Sequence, residues 1–132
     1  MEPQRDCRVI ETRATRQWTG EDGIVRSQIR PGIDFTVEDS AESLAATRSI
    51  SGDVPVPVLV DGRGVRSATR ESRLFWASDE VSATISAMAI LVGSPVSRMI
   101  ASFFIRLVRP GFRLRIFSDE AAAVRWIKEG CP

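Results

Sequence analysis

The sequence predicts an α/β fold: a single domain with a mixed sheet of four to five strands, an N-terminal antiparallel hairpin followed by parallel β-α units, and four helices. Three observations carry this expectation. The run Val56, Val58, Leu59, Val60 is short, β-branched and free of alternation, as in a strand buried on both faces. It ends in Asp61-Gly62-Arg63-Gly64, the kind of turn at which open α/β sheets place their ligands. From residue 54 onward strand and helix signals alternate, which calls for right-handed crossovers and parallel neighbours. A length of 132 residues fits one domain with a core of its own.

The elements follow in order. Cys7–Thr12 and Ala14–Trp18 are rich in strand formers, Gly20-Glu21-Asp22-Gly23 supplies a turn, and Ile24–Ile29 returns before Pro31-Gly32 breaks it. The charged first strand is the expected guard of a sheet edge. Thr36-Val37-Glu38-Asp39 resembles a capping box and opens a helix of about twelve residues, with Val37, Ala41, Leu44 and Ala45 on one face. Ser51-Gly52-Asp53 stops it, and the Val56–Asp61 strand follows. Ser67 or Thr69 can cap a second helix from Arg70 to about Ala77, and Ser78-Asp79-Glu80 starts a further short helical turn.

Ile85–Val92 reads as the second buried strand. Gly93-Ser94-Pro95 is a strong helix start, after which Val96, Met99, Ile100, Phe103, Phe104 and Leu107 recur at three- and four-residue steps. This 95–108 helix is expected to be the most buried. Arg109-Pro110-Gly111 ends it. Arg113–Phe117 is a short strand, and Ser118-Asp119-Glu120 caps a last helix through Lys128, with Gly130 beyond it.

Composition removes several classes of function. A formal net charge of +1 gives no electrostatic case for nucleic acid or an acidic membrane. With neither His nor Tyr, the usual general base, the commonest metal ligand and every His-dependent triad are missing. No elbow of the Gly-x-Ser-x-Gly type, P-loop or dinucleotide fingerprint occurs, so neither catalytic residues nor a cofactor or metal site is expected. Cys7 and Cys131 lie near opposite ends and pair only if the ends meet. No apolar run approaches the roughly 18 residues of a membrane span, and Met1–Asp6 lacks the apolar core of a signal peptide. The cytoplasm is the expected compartment.

What chemistry remains sits where the buried strands end. Helix N-termini at Ser67, Thr69 and Arg70 and at Gly93, Ser94 and Ser97 offer unpaired amides to an anion. Asp61, Gly62, Arg63, Gly64, Arg66, Arg70, Arg73 and Arg98 surround them, the glycines permitting close approach and the arginines adding charge. A phosphate- or carboxylate-bearing metabolite is the natural guest. The plainer reading has turn glycines and solvated or locally paired arginines. Met99, Phe103, Phe104 and Phe75 invite comparison with a lipid cavity, although a stripe at helical spacing is core by default.

Several motifs together resemble the STAS domains, and more closely the small bacterial proteins grouped as STAS/CRAL-TRIO-like. They are Trp18 with Asp22-Gly23-Ile24-Val25, then Val58–Val65, Thr69–Arg73 and Ala89–Arg98. Phe103-Phe104 and Ile116–Glu120 with Ala123 and Trp126 complete the set, over roughly residues 18–128. The resemblance implies a single STAS-like domain acting as a non-catalytic regulatory or protein-interaction module, through the helix after Thr69 and its adjoining loops. The alternative is a small-ligand sensor using the strand ends, for the metabolite class above or, less naturally, a lipid. Antagonist-type STAS domains carry an Asp-Ser-Ser-Gly signature with a phosphorylated serine. Here the region reads Ser67-Ala68-Thr69-Arg70-Glu71-Ser72, so Ser67, Thr69 and Ser72 supply hydroxyls without the signature. A homodimer through the exposed N-terminal edge also stays open.

Overall fold

The computed structural model describes residues 1–107 and 112–130. The expected stop at Arg109-Pro110-Gly111 and any meeting of Cys7 with Cys131 lie outside the described residues. Strands β1 (Ile10–Glu11), β2 (Thr15–Thr19) and β3 (Val25–Ile29) are antiparallel neighbours. Strands β5 (Val56–Asp61), β7 (Ile85–Leu91) and β8 (Arg113–Phe117) continue the sheet in parallel, in the order β1-β2-β3-β5-β7-β8. The Val-rich strand is central, between β3 and β7.

The mixed α/β class is as expected, with two corrections of count among the described residues. The sheet has six strands, because the two-residue β1 pairs separately with β2. A further ribbon joins β4 (Asp34–Phe35) to β6 (Ser67–Ala68). There are five helices: α1 (Val37–Ser51), α2 (Arg70–Phe75), α3 (Asp79–Thr84), α4 (Pro95–Leu107) and α5 (Glu120–Glu129). The turn expected at Ser78 is long enough to count as α3.

Crossover handedness sorts the helices. Each step β3→β5→β7→β8 moves the same way across the sheet, so right-handed connections put α1 to α4 on one face. The terminal α5 makes no crossover and covers the other, where Ala123 and Ile127 meet Ile24, Leu59, Ala89 and Leu91. On the four-helix face, Leu44 of α1 and Val81 of α3 meet Val25, Val58, Ile85 and Met88.

Helix α1 begins with the expected capping box: Asp39 N donates to Thr36 Oγ1 at 3.3 Å, and Thr36 N to the Asp39 carboxylate at 2.9 Å. It ends at Gly52, whose φ of 69° suits glycine and whose N–H reaches the Arg48 carbonyl. The predicted inner face is corrected. Ala41 and Ala45 are exposed, and α1 buries Asp39, Ser40, Ser43, Leu44, Ala46 and Thr47 instead. The reason is polar pairing. Gln17 of β2 donates to the Ser43 carbonyl at 2.9 Å and accepts from Thr47 Oγ1 at 2.7 Å, while Arg13 clamps Asp39.

Helix α4 is the second correction, because it is not the most buried. Ser97, Ala101 and Phe104 turn inward, but Val96, Met99 and Phe103 are 49%, 53% and 45% exposed. Its apolar residues cover more of the circumference than the sheet can use.

Candidate functional site

Two places could receive a ligand or partner: the rim where β5 and β7 end, and a cavity on the four-helix side beneath α1, α2 and α4. At the rim, Asp61 closes β5 with its side chain almost buried. Arg63 donates from Nε and Nη2 to its two carboxylate oxygens, each at 2.9 Å, and from its own backbone N–H at 3.1 Å. Burial by itself pushes the Asp61 carboxyl up; the Arg63 side chain and amide outweigh it and hold the group below the usual carboxylate range. The guanidinium is stabilised in its charged form by the same contact.

The Arg63 stem crosses close over Gly93, where a Cβ would stand 3.1 Å from Arg63 Cγ. Gly64 likewise lies against Pro31, and Gly62 N donates to the Leu91 carbonyl at 3.0 Å. The start of α4 is closed by its own hydroxyls. Ser97 Oγ accepts from Gly93 N and Ser94 N, and Ser94 Oγ accepts from Ser97 N, all at 3.0 Å. Arg98 donates to Ser118 Oγ at 2.7 Å, beside a shallow open depression formed with Gly93, Ser94 and Pro95.

The remaining predicted residues form separate groups. Arg66 and Ser67 both bond Asp34 across the β4–β6 ribbon and hold its carboxyl well below the usual range. Thr69 caps α2, with Ser72 N donating to its Oγ1 at 3.1 Å. Ser72 is 1% exposed and its hydroxyl donates to the Thr69 carbonyl at 2.8 Å, whereas Ser67 and Thr69 face solvent. Arg70 is exposed. Arg73 leans back on the Thr69 carbonyl at 3.4 Å and helps line the cavity. The structure therefore joins Asp61 and Arg63 to Gly93, and keeps Arg66 and Ser67 apart from them with Asp34.

The cavity offers about 100 Å³ and is partly open to solvent. Its floor is sheet (Val58, Val60, Met88, Ile90), and its roof includes Ile100, Ala101 and Phe104 of α4 with Trp76. Gln17, Ser27, Ser43 and Thr47 make a polar end, and none of them was expected at a site. Their signal was legible. Gln17 and Ser27 face one another across β2–β3, and Ser40, Ser43 and Thr47 recur at helical spacing. Of the aromatic stripe considered for a lipid, Phe104 lines the cavity while Met99 and Phe103 face outward.

Among the described residues no group of three or more His, Cys, Asp or Glu could hold a metal ion. No helix among them is long and apolar enough to cross a membrane. The protein is thus a mixed-sheet α/β domain with a polar-ended cavity on its four-helix face and a buried Asp61–Arg63 pair at the rim.

The chain belongs to the family described as Domain of unknown function (DUF7793), which residues 18–130 match. Among solved structures it is similar to a protein of the DUF3478 family with a SpoIIAA-like fold from Shewanella loihica PV-4. The identity is 11%, covering 96% of this chain and 98% of that one, with a TM-score of 0.49. It is also similar to a protein with unknown function from Arthrobacter sp. fb24, at 27% identity, 89% and 95% coverage and a TM-score of 0.36. No curated protein matches the chain.

Proposed function

We propose that the chain is a cytoplasmic, non-catalytic regulatory module of the STAS type that binds a partner protein through the outer faces of α2 and α4. The carrying observation is the row Val96, Met99, Phe103 on α4, spaced three and four residues apart and turned to solvent, with Leu74 of the neighbouring α2 exposed beside it. Apolar side chains gathered in one patch mark contact surfaces more than scattered ones do. Arg70, Arg98 and Arg106 are exposed on the same two helices. The STAS reading is supported by strand order and by the motifs from Trp18 to Trp126, and it adds the helix after Thr69 as the expected contact.

The second reading, an anion sensor at the strand ends, is favoured by Arg98 beside Gly93 and Ser94. An anion there would have to displace the hydroxyls of Ser94 and Ser97 from the helix amides, and Arg63 would have to leave Asp61. The interaction reading requires no such exchange.

The test is a double substitution, Met99→Glu with Phe103→Glu, compared with wild type in affinity capture from native lysate. Wild type should retain a partner that the variant releases, with circular dichroism and thermal midpoint nearly unchanged, because exposed changes typically stay within about 0.5 kcal/mol. The same proteins on both baits, or none on either, would remove the α4 face from consideration.

A further inference from the structure

We propose that the cavity under α1, α2 and α4 is a binding site for a small neutral molecule with an apolar body and one hydroxyl or carbonyl group. The rim and the outer faces of α2 and α4 take no part in it.

Four observations on its walls carry this. Ser43 is 3% exposed, lines the cavity, and its Oγ has no hydrogen-bond partner. A buried hydroxyl without a partner is costly and uncommon in folded proteins, so a group is wanted opposite it. Beside it Gln17 gives one amide hydrogen to the Ser43 carbonyl and keeps a second, and Ser27 stands opposite Gln17 in the strand register. Most of the remaining surface is apolar, from Val58, Val60, Met88, Ile90, Ile100 and Phe104 among others, with Thr15, Ser72, Ser97 and Arg73 also on the lining.

Charge decides the class. Every polar group at the Ser43 end is neutral, and a carboxylate or phosphate there would lose its hydration without a cation to offset the loss. Among the described lining residues the sole charged one is Arg73, half-buried on α2, where its guanidinium donates back to the Thr69 carbonyl. Size decides the rest. A dry apolar cavity of about 150 Å³ accommodates benzene, so about 100 Å³ suits a compact ring or short branch and excludes an acyl chain held whole.

The experiment titrates ¹⁵N-labelled full-length protein with phenol, toluene and benzoate, followed by amide shifts and thermal melting. Phenol should shift Gln17, Ser27, Ser43 and Ile100 saturably and raise the midpoint by mass action. Toluene should bind more weakly and benzoate weakest. Ser43→Ala should weaken phenol about fivefold while leaving toluene unchanged. Ala101→Leu, which fills the space, should abolish both. Absent or scattered shifts in wild type would overturn the proposal, as would benzoate binding tightest or Ser43→Ala leaving phenol unaffected. An ordered water on Ser43 Oγ that phenol fails to displace would also overturn it.

Discussion

On the α5 side of the sheet, Ile24, Leu59, Ala89, Leu91, Ala123 and Ile127 are each at most 2% exposed and form one cluster. Phe117 and Trp126 close its edge with ring centroids 5.6 Å apart, and the Arg113 guanidinium lies 4.3 Å from the centre of the Trp126 ring. On the opposite side four helices cover the same six strands and leave a cavity, a row of buried hydroxyls, and apolar side chains pointing outward. More helix has produced less close packing. Ala89 and Ala123 let α5 settle on the strands through apolar contact, whereas α1 is tied to β2 through the polar Gln17–Ser43–Thr47 network. The difference is one of packing: the α5 face is filled closely by apolar side chains, and the four-helix face, with a core cluster of its own, carries the departures from close packing.

The sharpest way to break that contrast is to remove the same kind of side chain from each face. Leu59→Ala, at the centre of the α5 cluster, should lower unfolding free energy by about 3–5 kcal/mol. Ile100→Ala, half-buried beside existing space, should lower it by about 1 kcal/mol, since few contacts are lost there. Urea unfolding of both variants measures the gap; equal losses would mean that the two faces are equally well filled.

The next effect concerns the polar seam. Gln17→Leu removes one of two partners of Thr47 Oγ1 and one donor to the Ser43 carbonyl, which keep their own 3.0 Å bond to each other, and should cost about 2 kcal/mol for the two bonds lost. Thr47→Val removes the other side of the same Gln17 contact, so the double variant should lose less than the two single variants summed. Strict additivity in that double-mutant cycle would show that the two side chains act separately and that α1 is held by something else.

How far these faces could be read beforehand differs in the same sense. The α5 face was read through the strands: the runs Val58-Leu59-Val60 and Ala89-Ile90-Leu91 form the expected doubly buried strands, whose Leu59, Ala89 and Leu91 meet α5, and Asp119 caps that helix as expected. On the other face the apolar pattern misled. Following Ala41 and Ala45 on α1 pointed at the solvent side, because the inner positions are serine and threonine bonded to a glutamine about thirty residues earlier. For α4, spacing gave the helix but not which apolar residues it could bury, since that depends on how much sheet lies beneath it. The rim residues Asp61, Arg63 and Gly93 were visible as types; their pairing was not, because the fold alone decides that Arg63 crosses Gly93 and turns back on Asp61.

The smallest expected effect compares two buried carboxylates, Asp39 on the cavity face and Asp61 at the end of β5. For each, burial pushes the carboxyl up and hydrogen bonding, led by one arginine, more than reverses it, so both are lowered. A depressed folded value contributes stability that is fully present above the unfolded value of about 3.9 and lost as pH falls through the folded value. With no histidine to titrate, stability should stay level from about pH 5 to 7 and decline below about pH 4. The two arginines can then be separated. Arg13→Met leaves Asp39 with the Thr36 amide and hydroxyl, whereas Arg63→Met leaves Asp61 with one backbone N–H. Carboxyl-carbon NMR titration should therefore show Asp61 rising further in its variant than Asp39 does in the other. The reverse order would mean that the α1 capping box depends on Arg13, making that ion pair the stronger support of the cavity wall.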